Sequence, residues 1–290
     1  MPGCRAFSFI LVAALGALPA AAQPTAAVEG RVEDARTGTP LPGAHVFISA
    51  SMIGTATDTT GRFRLDGVPV GAKRIVVSML GYEPKRLSLF LRADTTVSRT
   101  FALVPTVLEA EEVVVEDERD KEWYDDLRTF TRMFIGTTPL ARDCELLNPT
   151  VLRFDSSWWK GLEATATAPL HIRNDALGYR LHYTLKEFDQ SGTVVKWDGD
   201  PHFEELPPAD SSEAARWRTA RRDAYRGSLR HFLRALLSDR VEAEGFRMQR
   251  IPRPHAFRHT SRADRFPVSR DDVIVGRSDS THLFRFRGRL

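Results

Sequence analysis

The chain has 290 residues, of which 42% are hydrophobic, 27% charged and 9% aromatic, an ordinary balance for a folded protein with room for one large domain or two modest ones. A formal net charge of +3 points to no class of partner, and two cysteines exclude a disulfide framework and a cysteine-built zinc site. Past the N-terminus no apolar run reaches the ~18–20 residues that a membrane-spanning helix needs.

Arg5 precedes a charge-free run over residues 6–18, and Pro19-Ala20-Ala21-Ala22-Gln23 follows. A positive start, a short apolar run and small residues before Gln23 predict a signal peptide over 1–22, cleaved after Ala22. Cys4 lies ahead of the apolar run and cannot carry a lipid there. Cys144 is then the one cysteine of the mature chain, so no internal disulfide is expected. Export predicts a periplasmic or outer-membrane location in a Gram-negative-type cell, with no transmembrane span after cleavage.

Residues 24–105 alternate short strand-like runs with turn signals. Runs at 27–32, 44–48, 62–65, 74–79, 87–91 and 96–103 are separated by Thr37-Gly38, Pro40, Asp58-Thr59-Thr60-Gly61 and Asp66-Gly67. Short strands at this spacing, with no helical period, predict an all-β sandwich. Asp58 is expected to cap its turn through the carboxylate, with a metal-ligand role as the alternative.

Several residues in this stretch carry a resemblance. They are Gly30-x-Val32-x-Asp34, Thr37-Gly38-x-Pro40-Leu41-Pro42-Gly43-Ala44, Gly54-Thr55-x-Thr57-Asp58-x-x-Gly61-x-Phe63, Val68-Pro69-x-Gly71 and Ser78-x-x-Gly81-Tyr82. Together they resemble the carboxypeptidase-like regulatory domain, a transthyretin-like sandwich. The resemblance implies an accessory module that folds, docks or contacts a ligand, without a catalytic group of its own.

Residues 106–122 read as an acidic linker. Eight acids and two bases fall within 109–122, around a Val113-Val114-Val115 run that resembles the segment after the same sandwich in outer-membrane transport receptors. Residues 123–250 read as an α+β domain of uncharacterised type, so the expected fold class is mainly β with some α. Trp123, Leu127, Phe130 and Phe134 fall at helical spacing, and Gly136 ends that helix. Strands are expected at 151–154, 162–167, 179–188, 194–197 and 247–251. Pro207-Pro208 breaks the chain, and a helical stretch over 213–238 is interrupted at Gly227-Ser228.

This region resembles the body of exported bacterial proteins that carry the sandwich at their N-terminus. The carrying residues are Phe134-x-Gly136, Cys144-x-Leu146-x-Asn148-Pro149, Ala168-Pro169-Leu170-x-Ile172-x-Asn174 and Tyr225-x-Gly227-Ser228-x-x-His231-Phe232. Those proteins continue further, so the resemblance implies a C-terminally shortened version with an incomplete last sheet. Residues 251–290, rich in Arg and Pro with little periodicity, are expected to be partly disordered or incomplete. Within 217–290 there are 18 Arg, no Lys and 8 acids, with Phe246, Phe257, Phe266, Phe284 and Phe286 interleaved. This reads as a solvated basic face, or as a contact for anionic glycan or lipopolysaccharide phosphate; nucleic acid is not expected of an exported protein.

No HExxH, GxSxG, P-loop or GxGxxG motif occurs. His202-Phe203-Glu204-Glu205 holds the HxxE spacing of metallocarboxypeptidases, with His231, His255 or His259 as a third ligand, against the plainer reading of a loop histidine between Pro201 and Pro207. Cys144 is a candidate nucleophile with His171, His182 or His231 as base, against the plainer reading of a small core residue. The expected function is an exported, non-enzymatic cell-envelope protein whose sandwich docks to an envelope protein or glycan, with no catalytic residue, metal or cofactor. A carbohydrate-binding module using Trp158-Trp159 and Trp197 as stacking platforms is the first alternative. A metallocarboxypeptidase-type hydrolase is the second. Oligomeric state is not legible.

Overall fold

The computed structural model describes residues 24–106, 119–157, 161–192, 194–250, 266–277 and 282–284. The expected signal peptide, most of the acidic linker with its triple valine, Trp158-Trp159, His255 and His259 all lie outside the described residues.

The chain is mainly β with some α. Seven strands come first: β1 (Thr25–Asp34), β2 (His45–Ile48), β3 (Gly54–Ala56), β4 (Arg62–Pro69), β5 (Gly71–Ser78), β6 (Lys85–Leu91) and β7 (Thr96–Leu103). They form two sheets, β4-β1-β7 and β3-β2-β5-β6. β1 runs antiparallel to β4 and parallel to β7, while the second sheet is antiparallel throughout. Alternate residues of the two sheets meet in one core: Val28, Val32, Phe63, Leu65, Phe101 and Leu103 face Val46, Ile48, Ile75, Val77 and Leu91. At Gly30 the backbone of β7 leaves no room for a side chain, since a Cβ there would lie 1.7 Å from the Arg99 carbonyl oxygen.

Helix α1 (Lys121–Phe134) follows, then α2 (Pro139–Arg142), β8 (Cys144–Leu146), a 3-10 turn at Pro149–Val151, β9 (Leu152–Ser157), β10 (Gly161–Ala166), β11 (Leu170–Asn174), β12 (Tyr179–Ser191) and β13 (Val194–Glu205). These strands make a six-stranded antiparallel sheet. β12 is its axis: on one side it pairs with β11 and then β10, on the other with β13 along its length. Asp120 caps α1 by accepting from the Trp123 amide, and the helix lays Leu127, Phe130 and Phe134 on one sheet face over Leu152, Leu162, Tyr183 and Phe188.

Helices α3 (Ser211–Tyr225) and α4 (Leu229–Leu237) divide at Gly227 (φ 78), where the sequence places a break. Trp217 of α3 is buried against Gly178, whose φ of 66 and missing Cβ admit the indole ring. The short pairs β14 (Gln249–Arg250) with β15 (Phe266–Pro267) and β16 (Ile274–Arg277) with β17 (His282–Phe284) close the described chain. Leu236, Val241 and Val273 form a third small core.

Three strands differ from the sequence reading. β13 runs on through Glu205, where a strand was expected over 194–197 and a loop between Pro201 and Pro207, and β8 and β11 are strands with no prior assignment. Pro201 misled because proline ordinarily breaks a ladder. Its carbonyl points to the outer edge of β13, so its missing N–H costs no bond to β12. Within the stretch expected to be partly disordered or incomplete, residues 266–277 contain described strands, and Val273 joins a core.

Candidate functional site at the joint between the two sheets

The four-stranded sandwich sheet shows only part of its outer face to water. Phe47 of β2 and Val76 of β5 point away from the sandwich core and are still buried. What covers that face is the second sheet, and the contact has three parts.

The first part is backbone. The Ala50 amide donates to the Pro201 carbonyl at 2.7 Å and the Phe203 amide donates to the Ser51 carbonyl at 3.0 Å, pairing Ser51 with His202 in parallel. The loop after β2 thus fills part of the open edge of β13, which would otherwise present unpaired donors and acceptors. Ala50 holds φ 60 to do this, an uncommon conformation for a residue with a Cβ.

The second part is ionic. Asp200 of β13 has no exposed surface; Arg86 of β6 donates to it through Nε at 2.5 Å and Arg74 of β5 through a terminal nitrogen at 3.2 Å. Both oxygens are therefore engaged, as a buried carboxylate requires. On the opposite sheet face, under α1, Tyr183 packs against Gly199, and burial with the carboxylates of Asp198 and Asp200 pushes its phenol up to about 12.

The third part is a row of imidazoles. Cross-strand register sets His171 of β11 opposite His182 of β12, and His182 opposite His202 of β13. His45 of β2 completes the row from the sandwich side. Ring centroids are 4.8 Å apart for His171–His182, 6.1 Å for His182–His202 and 4.9 Å for His202–His45. His182 Nε2 lies 3.2 Å from Glu204, which Arg180 also engages. His202 sits against Phe47 and Gly54, 8% exposed, with both ring nitrogens buried and no well-formed hydrogen bond beyond the weak influence of the Met52 backbone. Burial, with His45 and His182 alongside, brings its pKa down to about 4. Burial also lowers His45 and His171, each with His182 as a further cause.

The other candidates do not converge. Along a strand, residues three apart face opposite ways. Glu205 therefore leaves His202 and pairs with Arg221 of α3 on the other face. His231 lies on α4, accepting from the Gly227 amide at Nδ1 and facing Glu244 through Nε2. Among the described residues no group of three or more His, Cys, Asp or Glu is placed to hold a metal ion. Cys144 touches Asn174, whose side-chain amide donates to Sγ at 3.0 Å, and none of the three candidate bases. Burial pushes its thiol up, away from the thiolate a nucleophile needs. Asp58 caps its turn as expected, accepting from the amides of Thr60 and Arg62. Trp197, the one stacking candidate within the described residues, is 50% exposed on β13 beside Phe134.

The sequence reading named His171, His182 and His202 only as separate candidates and did not single out His45, Asp200, Arg74 or Arg86. One signal was available. β2 and the end of β5 read as unbroken apolar runs, where a sheet with one wet face would alternate.

Comparison with known proteins identifies the first module. Residues 28–115 match the family model of the CarboxypepD_reg-like domain, so the chain carries that domain in its first part. No curated protein matches. Among solved structures, 3-chlorocatechol 1,2-dioxygenase from Rhodococcus opacus 1CP is 14% identical with a TM-score of 0.25, over 29% of this chain and 61% of its own. BcpA, the major pilin subunit of Bacillus cereus, is 13% identical with a TM-score of 0.25, over 29% and 31%. A candidate carbohydrate-binding protein from Bacteroides uniformis ATCC 8492 is 10% identical with a TM-score of 0.24, over 63% and 80%. The chain spans less than two thirds of the dioxygenase it matches, and at these scores the likenesses assign no activity. Among the described residues no helix is long and apolar enough to cross a membrane.

Proposed function

We propose that this is an exported, non-enzymatic protein of the cell envelope whose CarboxypepD_reg-like sandwich is a docking module. The observation that carries this reading is the joint itself. The sandwich already engages a protein surface, by filling a strand edge from Ala50 and Ser51 and by clamping a buried carboxylate between Arg74 and Arg86. These are means by which a β-module holds a partner. Its remaining surface keeps large apolar side chains exposed at Leu80, Phe90 and Val104. Export rests on the charge and apolar pattern of residues 1–22.

The test is photo-crosslinking in cells from Leu80 and Phe90, with fractionation of the envelope. The expected result is one envelope protein or glycan joined at these positions and absent when the label is moved to exposed Arg218 on α3. Recovery in the cytosolic fraction, or the same adducts from Arg218, overturns the reading. Trp197 favours a glycan as the partner class, because a half-exposed indole offers a flat apolar face to a sugar ring. Trp197→Ala is then expected to abolish glycan retention while leaving the fold intact by circular dichroism.

A further inference from the structure

The chain has eight histidines, and four of them form the row at the joint. They come from four different strands, two of them neighbours of β12 in one sheet and one from another module. Such a gathering has a physical cost that depends on protons. Neutral imidazoles stack edge to face without penalty, whereas imidazolium ions in the same places repel one another and lose hydration.

We propose that the histidine row is an acid-sensitive latch: protonation of His202 and His45 under mildly acidic conditions loosens the sandwich from the second sheet and frees the outer edge of β13.

The surroundings of His202 decide the direction. From its own strand the facing groups are Asp200 and Glu204. Asp200 is already occupied by Arg74 and Arg86, and Glu204 by His182 and Arg180. From β12 come His182 and Arg180, from β11 His171, and from β2 His45. β3 contributes only Gly54, Thr55 and Ala56. Glu204 favours a charge on His202 but is shared with His182 and Arg180, and burial with the two neighbouring imidazoles outweighs it. Its ring nitrogens are buried, with only the Met52 backbone nearby to favour a proton, so His202 gains a full hydration shell only when the joint parts. The contact that parts with it is specific: the bonds Ala50–Pro201 and Phe203–Ser51 flank His202 directly.

The sign follows from linkage. The closed joint holds His202 neutral down to about pH 4, while a hydrated histidine takes its proton near pH 6.5. The closed form is therefore favoured above pH 6.5 and loses ground as pH falls toward 4. From that one residue the closed-to-open ratio falls on the order of tenfold between pH 7 and pH 5.

Hydrogen–deuterium exchange of the whole chain at pH 7 and pH 5, corrected for intrinsic exchange, tests this. The Ala50 and Phe203 amides report the joint. The Val32 and Leu41 amides, bonded within the sandwich to Gly61 and Val32, report its core. The expected result is a fall on the order of tenfold in protection at Ala50 and Phe203 with the core amides unchanged. In His202→Phe, which fills the same aromatic slot without titrating, most of that fall should vanish. Equal protection at both pH values overturns the latch, as does a parallel loss at Val32, which is general acid unfolding, or full pH dependence in His202→Phe. Should His202→Phe fail to fold, His45→Gln is read instead, with the pH response reduced; an unaltered response there overturns it equally.

Discussion

Asp200 shows how one side chain can carry a joint. A carboxylate removed from water is stabilised only by partners, and here two guanidiniums from neighbouring sandwich strands supply them. Asp200→Asn leaves Arg74 and Arg86 facing a neutral amide. Both arginines keep partial access to water and can rehydrate, so the cost is expected to be about 1–3 kcal/mol, below that of stranding a fully buried charge. Urea unfolding followed by Trp217 fluorescence checks it. Cys144 makes the opposite point: its setting stabilises the thiol, with burial outweighing the bond from Asn174. Its reaction with a small disulfide reagent at pH 7 should be slower than that of a free cysteine peptide, and a faster rate would restore it as a nucleophile.

At this scale the sequence was a mixed guide. Asp58 was legible because an Asx turn is built from neighbours in the chain, and its three bonds all fall within four residues. His202 was misplaced because HxxE spacing implies convergence only on a helix. On a strand the two side chains separate, and the partners of His202 come from residues 20 positions and more away in the sequence.

Among elements, α1 was the most legible. Its apolar residues recur at helical spacing, Asp120 caps it and Gly136 follows it. Its stability comes from packing, since Phe130 is fully buried among Phe134, Phe154 and Phe188. Phe130→Ala is expected to cost about 3–5 kcal/mol, and Asp120→Ala only about 1 kcal/mol. Paired denaturation curves measure both, and a cap loss as large as the core loss would contradict this account. β13 was half legible: 194–197 alternates, but Pro201 hides the rest of the strand. An edge strand tolerates a proline whose nitrogen faces outward, and edge position is settled by which strands pair.

For the whole molecule, the joint governs the pH response. Burial at the joint brings the His202 pKa down to about 4 from the ordinary value near 6.5, so the unfolded chain binds protons more readily between those values. Stability is therefore full above pH 6.5 and falls as pH drops, by at most about 3 kcal/mol from this residue at pH 4. The carboxylates of Asp34, Asp58 and Asp210 lie below their usual range through hydrogen bonds, so their loss comes on the lower, more acidic limb. Denaturation midpoints across pH 4–8 should show two separate declines, with His202→Phe removing the upper one.

The local patterns of the chain were sufficient for the sandwich, for the class of mainly β with some α, and for the first helix. Each depends on periodicities and turns spanning a few residues, where propensity and burial act together. The joint belongs to the tertiary structure alone. Two modules far apart in sequence had to meet before β2 lost its wet face, before Asp200 found two arginines and before register brought three histidines into line. A cross-strand neighbour is chosen by pairing, and a one-residue slip would have turned every one of those side chains to the other face.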